Sequence, residues 1–156
     1  KFNSRSFRAR HGLNDQKHQE EFENAREAGL SPRCVSVVSV NGKRQYTVLY
    51  ASEKVGSWQL KSQIKESDYQ AEFDVNREAG RRPFYLQAYV HNDMTYYSAI
   101  FSSDSGTAYR ATHGRTGAQH QRTFEENIEA GFSTDVVTGV DGLSDSHRFS
   151  GIWTKK

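Results

Sequence analysis

A chain of 156 residues fits one domain, and its 21 basic and 19 acidic side chains leave a formal net charge of +2, too little to argue for a nucleic-acid partner. Val, Leu, Ile and Phe supply only 30 residues, a share that signals disorder when net charge is high; here charge is low and 19 aromatic side chains supply the missing bulk. No run approaches the ~20 apolar residues of a membrane-spanning helix, and the lone Cys34 excludes an internal disulfide and a cysteine-based metal cluster.

The opening segment alternates: Phe7, Ala9, His11 and Leu13 against Arg8, Arg10 and Gly12, the period of a strand. A helix is expected from about Asp15 to Ala28, closed by Gly29 in the left-handed conformation that a glycine adopts without steric cost. Its apolar stripe is thin (His18, Phe22, Ala25, Ala28), so its outer side should be solvated. A hairpin follows, Cys34 to Val40 and Gln45 to Ala51, around Asn41-Gly42, a strong two-residue turn signal. Its first strand is apolar on both faces, as is Phe84 to Val90, which implies a layer on each side.

The same unit then recurs twice. Glu27-Ala28-Gly29, Glu78-Ala79-Gly80 and Glu129-Ala130-Gly131 are spaced by 51 residues, and Gln19, Gln70 and Gln121 align with them, as do Phe22, Phe73 and Phe124. Phe7, Trp58 and Tyr109 stand before the helices. Tyr46, Tyr97 and Phe149, then Tyr50, Phe101 and Trp153, lie on the closing strands, with one inserted residue in the third hairpin. Asn92-Asp93 and Asp141-Gly142 occupy the later turns, and Ser67-Asp68 offers a cap for the second helix. The expected fold is therefore α+β: one domain, 1–156, of three β-α-β-β repeats (6–56, 57–107, 108–156). They are expected to form a curved, mostly antiparallel sheet, a half-barrel or closed pseudo-threefold barrel, with the helices outside. The helix phenylalanine is the expected anchor, so that Phe73→Ala would cost on the order of 3–5 kcal/mol.

Asp68-Tyr69-Gln70-Ala71-Glu72-Phe73-Asp74, Gly80-Arg81-Arg82-Pro83 and Tyr96 to Phe101 resemble the units of the bacterial tandem-repeat domain. These carry a Tyr-Gln-x-x-Phe-Asp core, a Gly-Tyr-Arg-Pro turn and an aromatic-ending strand. His11-Gly12-Leu13-Asn14 and His113-Gly114-Arg115-Thr116 match its His-Gly-Leu-Thr segment in part; Ser62-Gln63-Ile64-Lys65 departs from it. Similar repeats form the amino-terminal part of fungal polyglycine hydrolases, whose catalytic serine belongs to a separate domain. The resemblance implies a secreted or cell-surface setting and a fold, not a reaction. Starting at Lys1 without Met, the chain reads as a processed product or an excised domain.

Candidate chemistry is sparse. His11 with His18, and His113 with His120, share a seven-residue spacing; imidazoles can bind metal or act as general bases, but the second repeat has Ser62 and Tyr69 there, which excludes a symmetric three-site metal. The bland reading makes these histidines structural. Gln19, Gln70 and Gln121 are expected to pair buried backbone groups, and Glu27, Glu78 and Glu129 to form ion pairs with hairpin arginines, offsetting an unfavourable place at the helix end. Ser62-x-x-Lys65 has the form of a lactamase nucleophile without its companion motifs. Asp141 to Asp145 reads as a hairpin turn more readily than as a calcium loop. Phe7, Trp58 and Tyr109 could stack on a sugar or peptide, with Ser62 and Tyr69 beside them, although core is the competing role. No cofactor is implied. The favoured function is a non-catalytic extracellular binding module for a carbohydrate or polypeptide polymer; the alternatives are a single-pocket enzyme using histidines and a structural or assembly domain.

Overall fold

The computed structural model describes residues 6–103, 106, 108–141 and 146–155. The order of elements is β1 (Phe7–Leu13), α1 (Asp15–Glu27), β2 (Ser31–Val40) and β3 (Lys43–Ala51), then β4 (Trp58–Lys65), α2 (Glu66–Glu78), β5 (Arg82–His91) and β6 (Met94–Ser102). The third unit comprises β7 (Tyr109–Arg115), α3 (Gly117–Glu129), β8 (Phe132–Asp141) and β9 (His147–Lys155). In each unit the last strand is central, hydrogen-bonded antiparallel to the other two: β1-β3-β2, β4-β6-β5 and β7-β9-β8. The expected α+β repeat is present, but one continuous curved sheet is not. The described strands form three separate three-stranded sheets, and none of them closes into a barrel.

Local chemistry explains the units. Gly29, Gly80 and Gly131 end the helices with φ of 71, 71 and 77°. The next amide reaches back across the end, Leu30 N to Ala25 O at 2.9 Å and Arg81 N to Asn76 O at 2.8 Å. Asn41-Gly42 and Asn92-Asp93 have positive φ at both central residues, the turn that matches strand twist. Asn14 caps α1, and Thr116 with Gln119 forms a reciprocal capping box on α3. Ser67-Asp68 does not cap α2: the helix already begins at Glu66, and Lys65 occupies the cap position without a side-chain bond. Of the turn and calcium-loop candidate at Asp141 to Asp145, only Asp141 lies within the described residues.

The core lies between units. One cluster joins Ala25, Val35, Val37, Tyr46, Val48 and Tyr50 of the first unit to Tyr89, Tyr96 and Ile100 of the second. The other joins Tyr69, Leu86, Tyr97 and Phe101 of the second to Ile152 of the third, with Val136 and Val140 packed against it. Strand β2 packs on sheet two, and β5 packs on sheet three. Among the described residues only the middle sheet is therefore covered on both sides, and β6 is buried from Tyr96 to Ser102. In β2 the double burial fails: Val38 and Val40 are 50% and 43% exposed, because no described unit packs on that face. At the far end Gly151 leaves room for the Trp153 indole to lie across it, for a Cβ there would meet the ring at 2.4 Å; Trp153 is fully buried among the described residues.

The first strand of each unit is tied to its helix by a polar bridge at one strand position, reaching Glu21 in the first unit and, one turn further along the helix, Asn76 and Asn127 in the other two. Arg8 donates to both oxygens of Glu21 (2.9 and 3.1 Å), Asn76 donates to Gln59 (2.6 Å), and Arg110 donates to Asn127 (2.9 Å). Glu21 is buried beneath its partly exposed arginine, so the stripe read from apolar residues alone was incomplete. Asn76 has no exposed surface and also accepts from Arg81 at 2.7 Å. Asn76→Ala is expected to cost about 1–3 kcal/mol, since it strands the Gln59 and Arg81 partners; a urea-denaturation midpoint compared with wild type checks this.

Candidate functional site

The first strand of one unit runs beside the helix of the unit before it, and this creates two equivalent junctions, α1 with β4 and α2 with β7. The first is open. A cavity of about 490 Å³ is lined by Asp15, His18, Gln19 and Phe22 of α1, by β4 from Leu60 to Lys65, and by Asp68 and Glu72 of α2. A second hollow of about 510 Å³ shares Phe22 and Leu60 with it and continues past Trp58 to Gly56. Together they make one groove along β4.

His18 sits on the groove floor. Its ring stacks on Tyr46 (centroids 4.2 Å apart, planes 10° apart), and its Nε2 lies 3.3 Å from the Ser62 hydroxyl. Burial pushes its pKa down to about 4, against the pull of Asp15, so the imidazole is neutral at pH 7. Its Nδ1 is buried without a hydrogen-bond partner. Tyr46 donates to Asp15 at 2.6 Å and accepts from Gln63 at 2.8 Å; burial, followed by that Asp15 bond, drives its pKa far up, keeping the phenol protonated. Tyr89 donates to the Ser62 carbonyl at 2.8 Å, and Lys61 pairs with Glu72 at 2.6 Å, fixing β4 against its neighbours. At the far end Trp58 meets Phe22 edge-on at 5.8 Å.

The second junction is filled. Tyr69 replaces His18, and His113 replaces Ser62; their rings meet at 4.7 Å, and the remaining cavity is about 40 Å³. Burial lowers the His113 pKa, helped by Arg115 and opposed by Glu66.

The pairings expected from the seven-residue spacing do not occur among the described residues: no hydrogen bond or ring contact joins His11 to His18, or His113 to His120. The partners lie across the repeat boundary instead, His18 with Ser62 and Tyr69 with His113. His11 is exposed on β1, while His120 stacks on Phe149 (5.5 Å) and leans on Trp153 (5.7 Å). Of the ligand-binding candidates, Trp58 and Ser62 line the groove, and Tyr69 plugs the second junction. Phe7 is 70% exposed at the outer end, and Tyr109 lies under the Arg82 guanidinium, so neither enters the groove. Lys65 of the lactamase-like motif is the α2 cap residue. Gln19, Gln70 and Gln121 do not serve the backbone; each is exposed and donates to the carboxylate one turn on, Glu23, Asp74 and Glu125, at 2.8, 3.2 and 2.8 Å. Glu27, Glu78 and Glu129 are exposed and form no ion pair with a described residue. Asp15, Tyr46 and Gln63 were not among the site candidates read from the sequence. The available signal was divergence between repeats, since Ser62 stands where the other units have His11 and His113.

No group of three or more metal-ligating side chains forms among the described residues, and no helix there is long and apolar enough to cross a membrane. What the fold and junctions define is a stack of β-α-β-β units that complete one another's cores. The family model for the polyglycine hydrolase-like structural repeat matches three times, over residues 4–52, 55–104 and 106–156, and the chain belongs to that family. No characterised protein matches the chain closely enough to extend that assignment.

Proposed function

We propose that the protein is a non-catalytic recognition module, acting outside the cell, whose groove between α1 and β4 holds a stretch of extended polymer, with a glycan the best-matched chemistry. The observation that carries this reading is that one junction is open along β4 while its repeat-equivalent is filled by Tyr69 and His113. An eight-residue strand gives a groove floor of roughly 26 Å, long enough for several sugar rings. Carboxylates, amides and a hydroxyl at one end (Asp15, Asp68, Gln19, Gln63, Ser62) suit hydroxyl-rich ligands, and Trp58 at the other offers a stacking face. Titration calorimetry against a panel of neutral oligosaccharides tests this. Binding is expected, with Trp58→Ala weakening it about tenfold, near the ~1.4 kcal/mol of one stacked ring. Ser62→His, which imports the plug of the second junction, is expected to abolish it at unchanged melting temperature. Absence of binding to the panel, or undiminished binding by Ser62→His, overturns the reading.

The 3.3 Å contact between Ser62 and the neutral His18 favours one second reading, a hydrolytic dyad in the same groove. Against it, His18 Nδ1 has no group to orient the ring. Hydrolysis of a panel member that Ser62→Ala abolishes without loss of binding would establish it.

A further inference from the structure

Three apolar columns run through the units, and their burial depends on position in the stack. On the face that receives the preceding unit, Leu49 is 37% exposed where Ile100 and Ile152 are 0% and 1%; Val38 is 50% exposed where Tyr89 is 4%. On the face that meets the following unit the order reverses: Val35 and Leu86 are 0% and 1% exposed, and Val137 is 52%. Phe124 and Ile128 of α3, the helix that packs on β8, are exposed as well, at 37% and 48%. The two ends of the molecule are thus the two halves of its own internal junction, each lacking the other. The inner junction also has a polar key. Ser98 donates to the Val35 carbonyl at 2.6 Å, and the Gln87 amide bonds both N and O of Val37. Part of this key recurs at the ends: Thr47 stands on the first sheet where Ser98 stands on the second, and the backbone of Val137 and Gly139 on β8 stands where Val35 and Val37 stand on β2. Trp153 packs against Gly151, and β8 is the edge strand of that sheet.

We propose that the chain associates head to tail with a second copy of itself, the β8 and α3 face of one molecule seating on the outer face of β2 and β3 of the next. The support is continuity with the β2-on-β5/β6 and β5-on-β8/β9 junctions inside the chain. Such an interface is heterologous and leaves a free half at each end, so it grows into a ring or a filament rather than stopping at a dimer.

Sedimentation velocity of the full chain from about 10 μM to about 1 mM, a range that captures micromolar to millimolar affinity, tests this. The weight-average coefficient is expected to rise with concentration beyond that of a dimer. Leu49→Asp and Val137→Asp each disable one face at an exposed position, so both fold and each alone stays monomeric. Mixed in equal amounts, each still offers one intact and complementary half, and a dimer forms that grows no further. A monomer at every concentration overturns the proposal and leaves these faces to further repeat units joined in the same polypeptide. Dimers formed by either variant alone overturn it in favour of face-to-face pairing.

Discussion

Phe101→Ala is expected to lower the unfolding free energy by about 3–5 kcal/mol, read from urea denaturation, whereas Phe73→Ala should cost only about 1–2 and Phe124→Ala less than ~1 kcal/mol. All three phenylalanines occupy recurring columns, so a count of repeats ranks them equally. The structure does not. Phe101 is fully buried on the central strand, in a cluster holding Tyr69, Leu86, Tyr97 and Ile152, and its removal leaves a cavity that two packed units cannot collapse. Phe73 only packs against that cluster from the helix, half-exposed. Phe124 is covered by no other described unit and is 37% exposed. The helix phenylalanine is therefore not the anchor; the closing-strand column of Tyr50, Phe101 and Trp153, each at 0% exposure, is. Equal costs for Phe73→Ala and Phe101→Ala would refute this ranking.

Acidification should destabilise the fold through His18. Its folded pKa of about 4 lies below the ordinary value of 6.5, so the unfolded chain binds the extra proton between those limits. The contribution is complete above pH ~6.5 and drains away as pH falls towards 4, amounting to about 2–3 kcal/mol. Burial lowers the pKas of His113 and His120 too, which adds to the same trend. His18→Tyr places in the first unit the residue that Tyr69 supplies in the second, removing the titration while retaining an aromatic ring. Denaturant titrations at pH 7 and pH 4.5 are expected to differ less for this variant than for wild type. An unchanged difference would mean that the His18 imidazole is not held neutral.

The three-unit architecture was legible because its determinants are local. Gly29 and its repeats needed only the helix end, and Asn41-Gly42 only the twist of two strands. The polar bridges were less legible. Arg8 bridges to Glu21, whereas Gln59 and Arg110 bridge one turn further along their helices, to Asn76 and Asn127, so the partner shifts between units and no single column marks the bridge. The candidate site was hidden for another reason. His18 and Ser62 are 44 residues apart and belong to different repeats, whereas the visible spacing paired His11 with His18 inside one. The glutamines show the opposite error: an invariant column suggested burial, yet each side chain is on the helix surface, bonded to a carboxylate one turn away.

By itself the sequence determined the unit, its threefold recurrence, the turns and helix ends, and a core that rests on aromatic side chains, because each is set by contacts within a few residues or by composition. The tertiary structure alone decided that the units form separate stacked sheets and that the core lies between them. It also decided that one junction is open and the other filled. Those outcomes depend on which unit has a neighbour on each side: Val35, Leu86 and Val137 share a column and a chemistry, and only the presence of a following unit makes the first two buried and the third exposed.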